Sequence, residues 1–331
     1  MKTKEHHIND WQKQLAEAIS DIESLCQHLN IAVEDVPLAQ DIESFPLKVP
    51  LSFVECMERG NPHDPLLRQI LPLQHELFGK AGYSGDPVGD MTSIAEAGVL
   101  HKYQGRVLLV LTGACAINCR YCFRRNFPYS DAQLTPQRQI KAMSYLESHD
   151  DISEVILSGG DPLLLHDEKF SSWLQRLERI PHLKRIRIHS RLPVVLPARI
   201  TSKFLDCLCR SNKQIIMVIH ANHSHELSRS VEQACFELKQ RGITLLNQSV
   251  LLKGINDSAD VLCQLSERLF SIGVLPYYLH LLDKAYGTAH FETCKEDALM
   301  IMDQVKAVLP GYLVPKLVQE IAGATNKLTI C

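Results

Sequence analysis

The chain has 331 residues, of which 45% are hydrophobic and 22% are charged, a composition typical of a globular protein with a substantial core. Its net charge of −3 at pH 7 argues against a basic stripe for nucleic acid and against a solvated, highly charged tail. The longest apolar runs are far too short to cross a bilayer, and the first residues lack the apolar segment of a signal peptide. We therefore expect a cytoplasmic protein with neither a nucleic acid nor a membrane as partner.

The first hundred residues predict a helical cap and no separate catalytic domain. Apolar side chains from Trp11 to Leu29 recur on one face of an amphipathic helix predicted over residues 11–30. Residues 31–100 are richer in proline and glycine and contain short helical pieces. We predict an N-terminal helical cap over residues 1–100 and a catalytic domain over residues 101–331.

From Arg106 onward, short β-branched runs alternate with longer helical patterns. Helices are predicted near 135–148, 168–179, 200–210, 224–241 and 258–272. Parallel strands need such crossovers, so the predicted fold class is α/β: a partial, open barrel of six strand–helix units, (β/α)6, with a short C-terminal extension. Its functional residues should lie at the C-terminal ends of the strands. The predicted strands are Val107–Thr112, Glu154–Leu157, Arg185–His189, Gln214–His220, Thr244–Ser249 and Pro276–Leu282.

Three of the eleven cysteines stand apart from the rest. Most of the others lie singly in helical or strand patterns, as buried small hydrophobic residues do. Cys115, Cys119 and Cys122 share one loop after the first strand, with the spacing C-x3-C-x2-C. Three thiolates on one loop can hold three irons of a [4Fe–4S] cluster and leave the fourth iron open. Zinc is the alternative, but a closed zinc site needs a fourth ligand, and no second cysteine knuckle occurs at a usual spacing.

A second loop of interest follows the second predicted strand. It reads Ser158-Gly159-Gly160-Asp161-Pro162. Two glycines at a strand end let the backbone approach a ligand closely, although such a sequence alone can form only a tight turn. Its position one βα unit after the cysteine loop strengthens the functional interpretation.

Together these loops resemble the radical S-adenosylmethionine (SAM) superfamily, whose hallmark is CxxxCxxC with an aromatic residue, here Tyr121, before the last cysteine. The resemblance implies that SAM binds the open iron. It implies that one-electron reduction by an external donor of flavodoxin or ferredoxin type then yields a 5′-deoxyadenosyl radical. It also implies that Tyr121, Gly159, Gly160 and Asp161 lie at the SAM site.

Longer stretches resemble one family of this superfamily, the lysine 2,3-aminomutases. The similarity covers about residues 100–330 and keeps the family's order of motifs. The resemblance implies an isomerase that uses both SAM and pyridoxal phosphate to convert L-α-lysine into (R)-β-lysine. The matching stretches are CRYCFRRNF (119–127), VILSGGDPLLL (155–165), RIHSRLPVVLPARIT (187–201), IHANHSHE (219–226), NQSVLLKGIND (247–257), PYYLHLLDKAYGTAHF (276–291) and GYLVPKLVQE (311–320).

The resemblance also assigns residues to pyridoxal phosphate. Lys327, in the turn Gly-Ala-Thr-Asn-Lys, matches the family's Schiff-base lysine in a C-terminal coenzyme-binding segment, although the turn has fewer glycines than usual. Lys316 is the rival for this role. Arg106 matches the arginine that holds the coenzyme phosphate, and a surface arginine at the start of a strand is the alternative.

Three further residues match the family's substrate site. Arg124 matches the arginine that pairs with the substrate carboxylate, although Arg120 or Arg125 could take a neighbouring role. Asp283 and Glu320 match two acidic residues that bind the ε-ammonium group, although aspartate is usual at the second position. A buried ammonium group needs such partners, so lysine is the first substrate choice and arginine the second.

Two residues match family positions near SAM. His220 ends the fourth predicted strand and Gln248 lies on the fifth. A hydrogen-bonded core histidine is the alternative for His220.

The chain extends only four residues past Lys327, which resembles the short bacterial aminomutases. That resemblance implies that the β-lysine product serves a lysyl-tRNA-synthetase-like ligase that modifies translation elongation factor P. The competing hypothesis is a radical SAM enzyme without pyridoxal phosphate that acts on RNA or protein.

Overall fold

The computed structural model describes residues 10–39, 45–132 and 134–331, so residues 1–9 and 40–44 of the predicted cap lie outside the described residues. A single ten-stranded sheet organises the chain, and its strands follow one another in sequence order. The strands are β1 (Ile94–Glu96), β2 (Val99–Tyr103), β3 (Arg106–Thr112), β4 (Glu154–Gly159), β5 (Arg185–Ser190), β6 (Gln214–Ile219), β7 (Thr244–Val250), β8 (Leu275–His280), β9 (Lys316–Gln319) and β10 (Leu328–Thr329).

Strands β3 to β9 run parallel to their neighbours, whereas β1, β2 and β10 pair antiparallel at the two ends of the sheet. Within the described ranges, β1 and β10 each pair on one side only, so the sheet stays open. The predicted α/β fold with an open, partial barrel is confirmed. The structure adds a seventh parallel strand, β9, and a hairpin of β1 and β2.

The helices alternate with the parallel strands, as crossover connections require. None of the helices in the described parts of the chain is long and apolar enough to cross a membrane. The helices are α1 (Asp10–Ala16), α2 (Ile22–Leu29), α3 (Leu51–Val54), α4 (Tyr129–Ala132), α5 (Pro136–Ser148), α6 (Asp167–Glu178), α7 (Leu192–Val195), α8 (Ser202–Cys209), α9 (Arg229–Gln240), α10 (Ala259–Ser271) and α11 (Lys295–Val308).

One predicted helix, over residues 11–30, is wrong in its middle, where the chain breaks between α1 and α2. The Asp21 carboxylate accepts hydrogen bonds from the amides of Glu23 and Ser24, so it caps α2. Just before it, Ile19 exchanges backbone hydrogen bonds with Val49. The cap and this bridge satisfy backbone groups that a continuous helix would have used.

The segment before β3 shares the main hydrophobic core with the strands and crossover helices. Trp11, Leu25 and Phe53 belong to the same buried cluster as Leu109 and Ile188. Alternate residues of each parallel strand face the helices, and the remainder form the opposite face, called here the inner face. The inner face carries the polar side chains that form the candidate site.

Arg199 is a buried charge that ties the N-terminal segment to the barrel. Its side chain is fully buried and pairs with Asp167 at 2.9 Å. The guanidinium donates to the carbonyl oxygens of Leu163 and Leu165 and lies 4.8 Å from the ring centre of Trp11. These contacts compensate the cost of burying the charge.

Arg199→Met should lower the free energy of unfolding by about 3–5 kcal/mol, because it leaves the buried Asp167 carboxylate without its cation. Arg241→Met is the matched control, since Arg241 forms an exposed ion pair with Asp206 and should change stability little. Chemical denaturation followed by circular dichroism compares the two variants. Equal stability of both would show that the Arg199 contacts add nothing to the fold.

Candidate active site

The cysteine loop begins where β3 ends and is held by the N-terminal segment. Lys48 Nζ donates to the carbonyl oxygen of Cys115 over 2.9 Å. The amide of Asn118 donates to the carbonyl oxygen of Lys48 over 3.0 Å, and the amide of Arg120 to that of Gln69 over 2.8 Å. The loop conformation therefore depends on residues that precede the barrel.

The three thiols of this loop lie close enough to affect one another. Burial, followed by the nearby Cys122, raises the pKa of Cys115 well above its ordinary value. Burial, followed by the nearby Cys119, raises the pKa of Cys122 to about 11. Ligand thiols must lose their protons to bind metal, so these groups gain most from a metal that supplies positive charge.

The thiol arrangement suits a cluster better than a single ion. Among the side chains that the structure describes, no three His, Cys, Asp or Glu residues are grouped so as to hold one metal ion. In a [4Fe–4S] cluster each thiolate meets a different iron, so the sulfurs need not converge on one point. The loop thus fits a cluster held by Cys115, Cys119 and Cys122.

The glycine pair after β4 packs directly against the cysteine loop. The amide of Gly160 donates to the Thr112 carbonyl over 2.7 Å, and that of Asp161 to the Ala114 carbonyl over 2.9 Å. A Cβ added at Gly160 would overlap the carbonyl oxygen of Ala114. Gly159 has a φ of +122° and faces the backbone of Thr112 equally closely. The close approach expected of these glycines is made here to the cysteine loop itself.

The Asp161 side chain faces the end of β5. One carboxylate oxygen accepts from the Ser190 hydroxyl over 2.7 Å, and the other accepts from the amide of Arg191 over 2.8 Å. Burial raises its pKa to about 6, although these hydrogen bonds act in the opposite direction. The carboxylate thus braces the β5 loop, and a contact of this residue with SAM stays a prediction.

Of three neighbouring arginines, one alone reaches the inner face. Arg120 and Arg125 both pair with Glu76, at 2.5 Å and 2.9 Å. Arg124 pairs instead with Asp90 at 2.7 Å and lies 3.4 Å from the Ser158 hydroxyl on β4. The geometry therefore favours Arg124 for an anionic group bound at the inner face.

Charges of alternating sign continue from Arg124 across the inner face. Asp90 also pairs with Lys102 at 2.5 Å, and Lys102 pairs with Glu320 at 3.0 Å. Glu320 in turn pairs with Lys327 at 3.1 Å. Burial alone would raise the pKa of Glu320, but Lys327 and Lys102 lower it to about 2. These five residues, called here the charge chain, join β2, the loop after β9 and the C-terminal turn.

Lys327 enters the inner face and Lys316 does not. Lys327 Nζ lies 3.4 Å from His280 Nε2, at the end of β8, and 5.8 Å from the ring centre of Tyr278. Lys316 is exposed at the start of β9. Of the two lysines considered for a covalent role, the geometry favours Lys327.

Asp283 is a half-buried residue whose carboxylate has no hydrogen bond or ion pair within the residues that the structure describes. It follows β8 and lies near Glu320 and Lys327. Burial, followed by repulsion from Glu320, raises its pKa to about 7. Glu320 is already held between two lysines, so Asp283 is the carboxylate available to a further cation.

Residues suited to a phosphate group lie at the other end of the inner face. Arg106 stacks on the Tyr103 ring at 4.8 Å, and its guanidinium forms no ion pair within the described ranges. Arg187 on β5 pairs with Glu154 at 2.5 Å, while its buried Nε has no partner in the described structure. Guanidinium donors such as these suit a phosphate group.

The imidazoles of His189, His220 and His280 also face this site. His189 and His220, on β5 and just after β6, have ring centres 6.0 Å apart. Burial, then the positive charges of Arg191 and Lys327, lowers the pKa of His220 to about 3, so it is neutral. Gln248 lies on β7 with its side chain on the same face. The positions suit the predicted roles of His220 and Gln248 near SAM, which stay predictions.

The sequence analysis gave no role to several residues that the structure places at the site. Asp90 and Lys102 precede the barrel, and no local pattern marks them. Arg191 had a usable signal, because it directly follows β5, at the strand end where functional residues of such sheets collect. His280 had the same signal at the end of β8.

Gly160→Ala should prevent the cysteine loop from closing, because the added methyl group overlaps the Ala114 backbone. We expect a several-fold loss of iron and sulfide in protein reconstituted without oxygen. Gly79→Ala is the matched control, since a Cβ there meets nothing within 4 Å. Equal iron content in the two variants would contradict the close packing of the loops.

Comparison with known proteins agrees with this site. The model of the radical SAM superfamily matches residues 109–263. L-lysine 2,3-aminomutase of Escherichia coli strain K12 is 48% identical over 320 residues, covering 96% of this chain and 93% of that protein. The protein of the same name from Haemophilus influenzae is 44% identical, covering 96% and 94%. That from Clostridium subterminale is 34% identical, covering 97% of this chain and 78% of the relative. The chain therefore belongs to the lysine 2,3-aminomutase family, isomerases of the radical SAM superfamily, whose membership implies a [4Fe–4S] cluster and SAM.

Proposed function

We propose that the protein is a pyridoxal-phosphate-dependent lysine 2,3-aminomutase that converts L-α-lysine into (R)-β-lysine. One observation carries the proposal: the half-buried Asp283 carboxylate has no ion-pair partner within the described residues, and it lies near Lys327 on the inner face. Such a carboxylate suits a substrate with a distal ammonium group, because removing either the carboxylate or the ammonium group from water without a partner of opposite charge is costly. The names of the relatives agree with lysine as that substrate.

Different residues of the chain would bind the iron–sulfur cluster and the coenzyme. Cys115, Cys119 and Cys122 would each hold one iron, and Lys327 Nζ would provide the covalent link to the coenzyme. Arg106 would hold the coenzyme phosphate, with its guanidinium free of other anions. When bound, the cluster with SAM supplies a carbon radical, and pyridoxal phosphate supplies a carbonyl for the amine and a π-system that stabilises a neighbouring radical.

Substrate orientation would come from charges at its two ends. Arg124 would receive the carboxylate, sharing its charge with Asp90, and Asp283 would receive the ε-ammonium group. Glu320 would keep Lys102 and Lys327 in place through its two ion pairs. With both ends fixed, the carbon that loses hydrogen is held in one position, which is how orientation lowers the barrier of such a step.

The proposal includes an external one-electron donor of flavodoxin or ferredoxin type. Gly113 and Ala114, the two residues directly before Cys115, are exposed and would offer a short path to the cluster. A cytoplasmic location is part of the proposal, because the ligand thiols need a reducing compartment and all eleven cysteines are free. We further propose that a lysyl-tRNA-synthetase-like ligase uses the product to modify elongation factor P.

Wild-type protein reconstituted with iron, sulfide, SAM, pyridoxal phosphate and a reductant should convert lysine into β-lysine, which chiral chromatography identifies. Cys119→Ser should lose iron and activity while the fold stays intact.

Lys327→Ala should keep its iron but lose borohydride trapping of the coenzyme, because the linking nitrogen is gone. Lys316→Ala, the matched lysine control, should keep both. Trapping at Lys316 in peptide maps would refute the assignment of Lys327.

Asp283→Asn should weaken lysine binding roughly ten- to a hundredfold, since a charge-assisted contact contributes about 1.5–3 kcal/mol. Coenzyme trapping at Lys327 should not change. Glu320→Gln should instead reduce both trapping and lysine affinity, because it releases Lys102 and Lys327. Competition among lysine, arginine, glutamate and norleucine measures the selectivity. A wild-type preference for glutamate, or unchanged lysine selectivity in Asp283→Asn, would refute the substrate assignment.

The pH dependence of lysine binding provides a separate check on Asp283. Its carboxyl has a pKa of about 7 before a cation binds, and only the ionised form attracts the ammonium group. Lysine affinity of the wild type should therefore rise as the pH increases through about 7 and should level off above it. Asp283→Asn should lack this rise.

A further inference from the structure

Arg191, the residue directly after β5, joins the cysteine loop to two distant parts of the chain. Its Nη1 donates to the sulfur of Cys119 over 2.7 Å. Its Nη2 donates to Gln69 Oε1 over 2.8 Å and to Glu226 Oε2 over 3.0 Å. Both ends of the guanidinium are thereby fixed, so the group that touches Cys119 has a defined direction.

The charge of this guanidinium is buried and is retained. Arg191 is 8% exposed, and Gln69 and Glu226 are fully buried. An arginine guanidinium stays ionised in proteins, and the Glu226 carboxylate lies 3.0 Å from it as a buried counter-charge. The guanidinium also lies 5.6 Å from the ring centre of Tyr121, the aromatic residue of the cysteine motif.

Besides its ion pair with Arg191, Glu226 accepts hydrogen bonds from several neutral donors. Its Oε1 accepts from Gln69 Nε2 over 3.0 Å and from the amides of Asn222 and His223 over 2.8 Å and 3.0 Å. Only Oε2 faces Arg191. Nη2 of Arg191 therefore faces Glu226, and Nη1 donates to the sulfur of Cys119.

We propose that Arg191 is a positioning residue for the iron–sulfur cluster, which fixes the Cys119 sulfur and makes the cluster easier to reduce. Reduction adds one electron, taken from the external one-electron donor, and makes the cluster more negative by one charge. A hydrogen bond to a ligand sulfur and a fixed positive charge stabilise the reduced form more than the oxidised form, so they raise the reduction potential. The inference depends on the cluster alone and on neither the coenzyme nor lysine.

The test compares Arg191→Met, Arg191→Lys and Arg199→Met in protein reconstituted with iron and sulfide in the absence of lysine and pyridoxal phosphate. Arg199→Met is the matched control for the loss of a buried arginine, because Arg199 pairs with Asp167 and donates to the carbonyl oxygens of Leu163 and Leu165, none of which is a cluster ligand. Iron content, circular dichroism and the midpoint potential from a redox titration followed by electron paramagnetic resonance are measured for each.

Arg191→Met should shift the midpoint potential to a more negative value, Arg191→Lys should lie between it and the wild type, and Arg199→Met should equal the wild type. A fully loaded Arg191→Met with the wild-type potential would overturn the proposal. If Arg191→Met holds no iron, Arg191→Lys decides: recovery of the cluster by the second cation supports the proposal, and failure to recover any iron overturns it. None of these outcomes bears on the aminomutase assignment, which the lysine assays test separately.

Discussion

Pairing of buried charge is the constraint on which the rest of this site depends. The inner face collects Arg124, Asp90, Lys102, Glu320 and Lys327, and each is adjacent to an opposite charge. An isolated ion in this position would be costly, whereas a chain of alternating signs gives every member a partner of opposite charge. The consequence is a site whose reactive groups are held in place before any substrate arrives. The Asp283 carboxylate is the exception, because it has no ion-pair partner among the described residues, and it marks the position where a bound cation would fit.

The segment before the barrel does more than cover one end of it. Lys48 and Gln69 hold the cysteine loop, Glu76 takes up two of its arginines, and Asp90 and Lys102 supply the middle of the charge chain. The parallel strands provide positions at their C-terminal ends, but the partners that fix the side chains come from the N-terminal segment. The candidate site residues and the residues that hold them in place thus come from different parts of the sequence.

Local patterns were enough to predict the parts of the molecule that local physics determines. All six predicted parallel strands are present, because β-branched runs and helical periodicity are properties of neighbouring residues. The cysteine loop and the glycine turn were found for the same reason, since their spacing is short. The broken helix at Asp21 was missed because its cap and the bridge to Val49 compete with helical periodicity.

Partners that meet only through tertiary structure could not be predicted from the sequence. Glu320 was expected to bind substrate beside Asp283, and nothing in its surroundings in sequence shows that Lys102, 218 residues away, already holds it. Likewise, the contact between Arg191 and the Cys119 sulfur spans 72 residues. Such pairs depend on which strands are neighbours in the sheet, so they can be predicted only after the strand order is known.

The short strand β10 has a consequence for the local stability of one edge of the sheet. Two residue pairs, Leu328 with Gln319 and Thr329 with Val318, join it to β9 at the end of the sheet, and backbone hydrogen bonds between Leu317 and residues 330–331 follow them. A ladder this short opens locally at far lower free energy than the barrel core unfolds. Lys327 immediately precedes it, so brief fraying of this sheet edge would move the Lys327 side chain away from Glu320 and His280 and back. This end of the inner face would then open while the cysteine loop and the parallel strands remain folded.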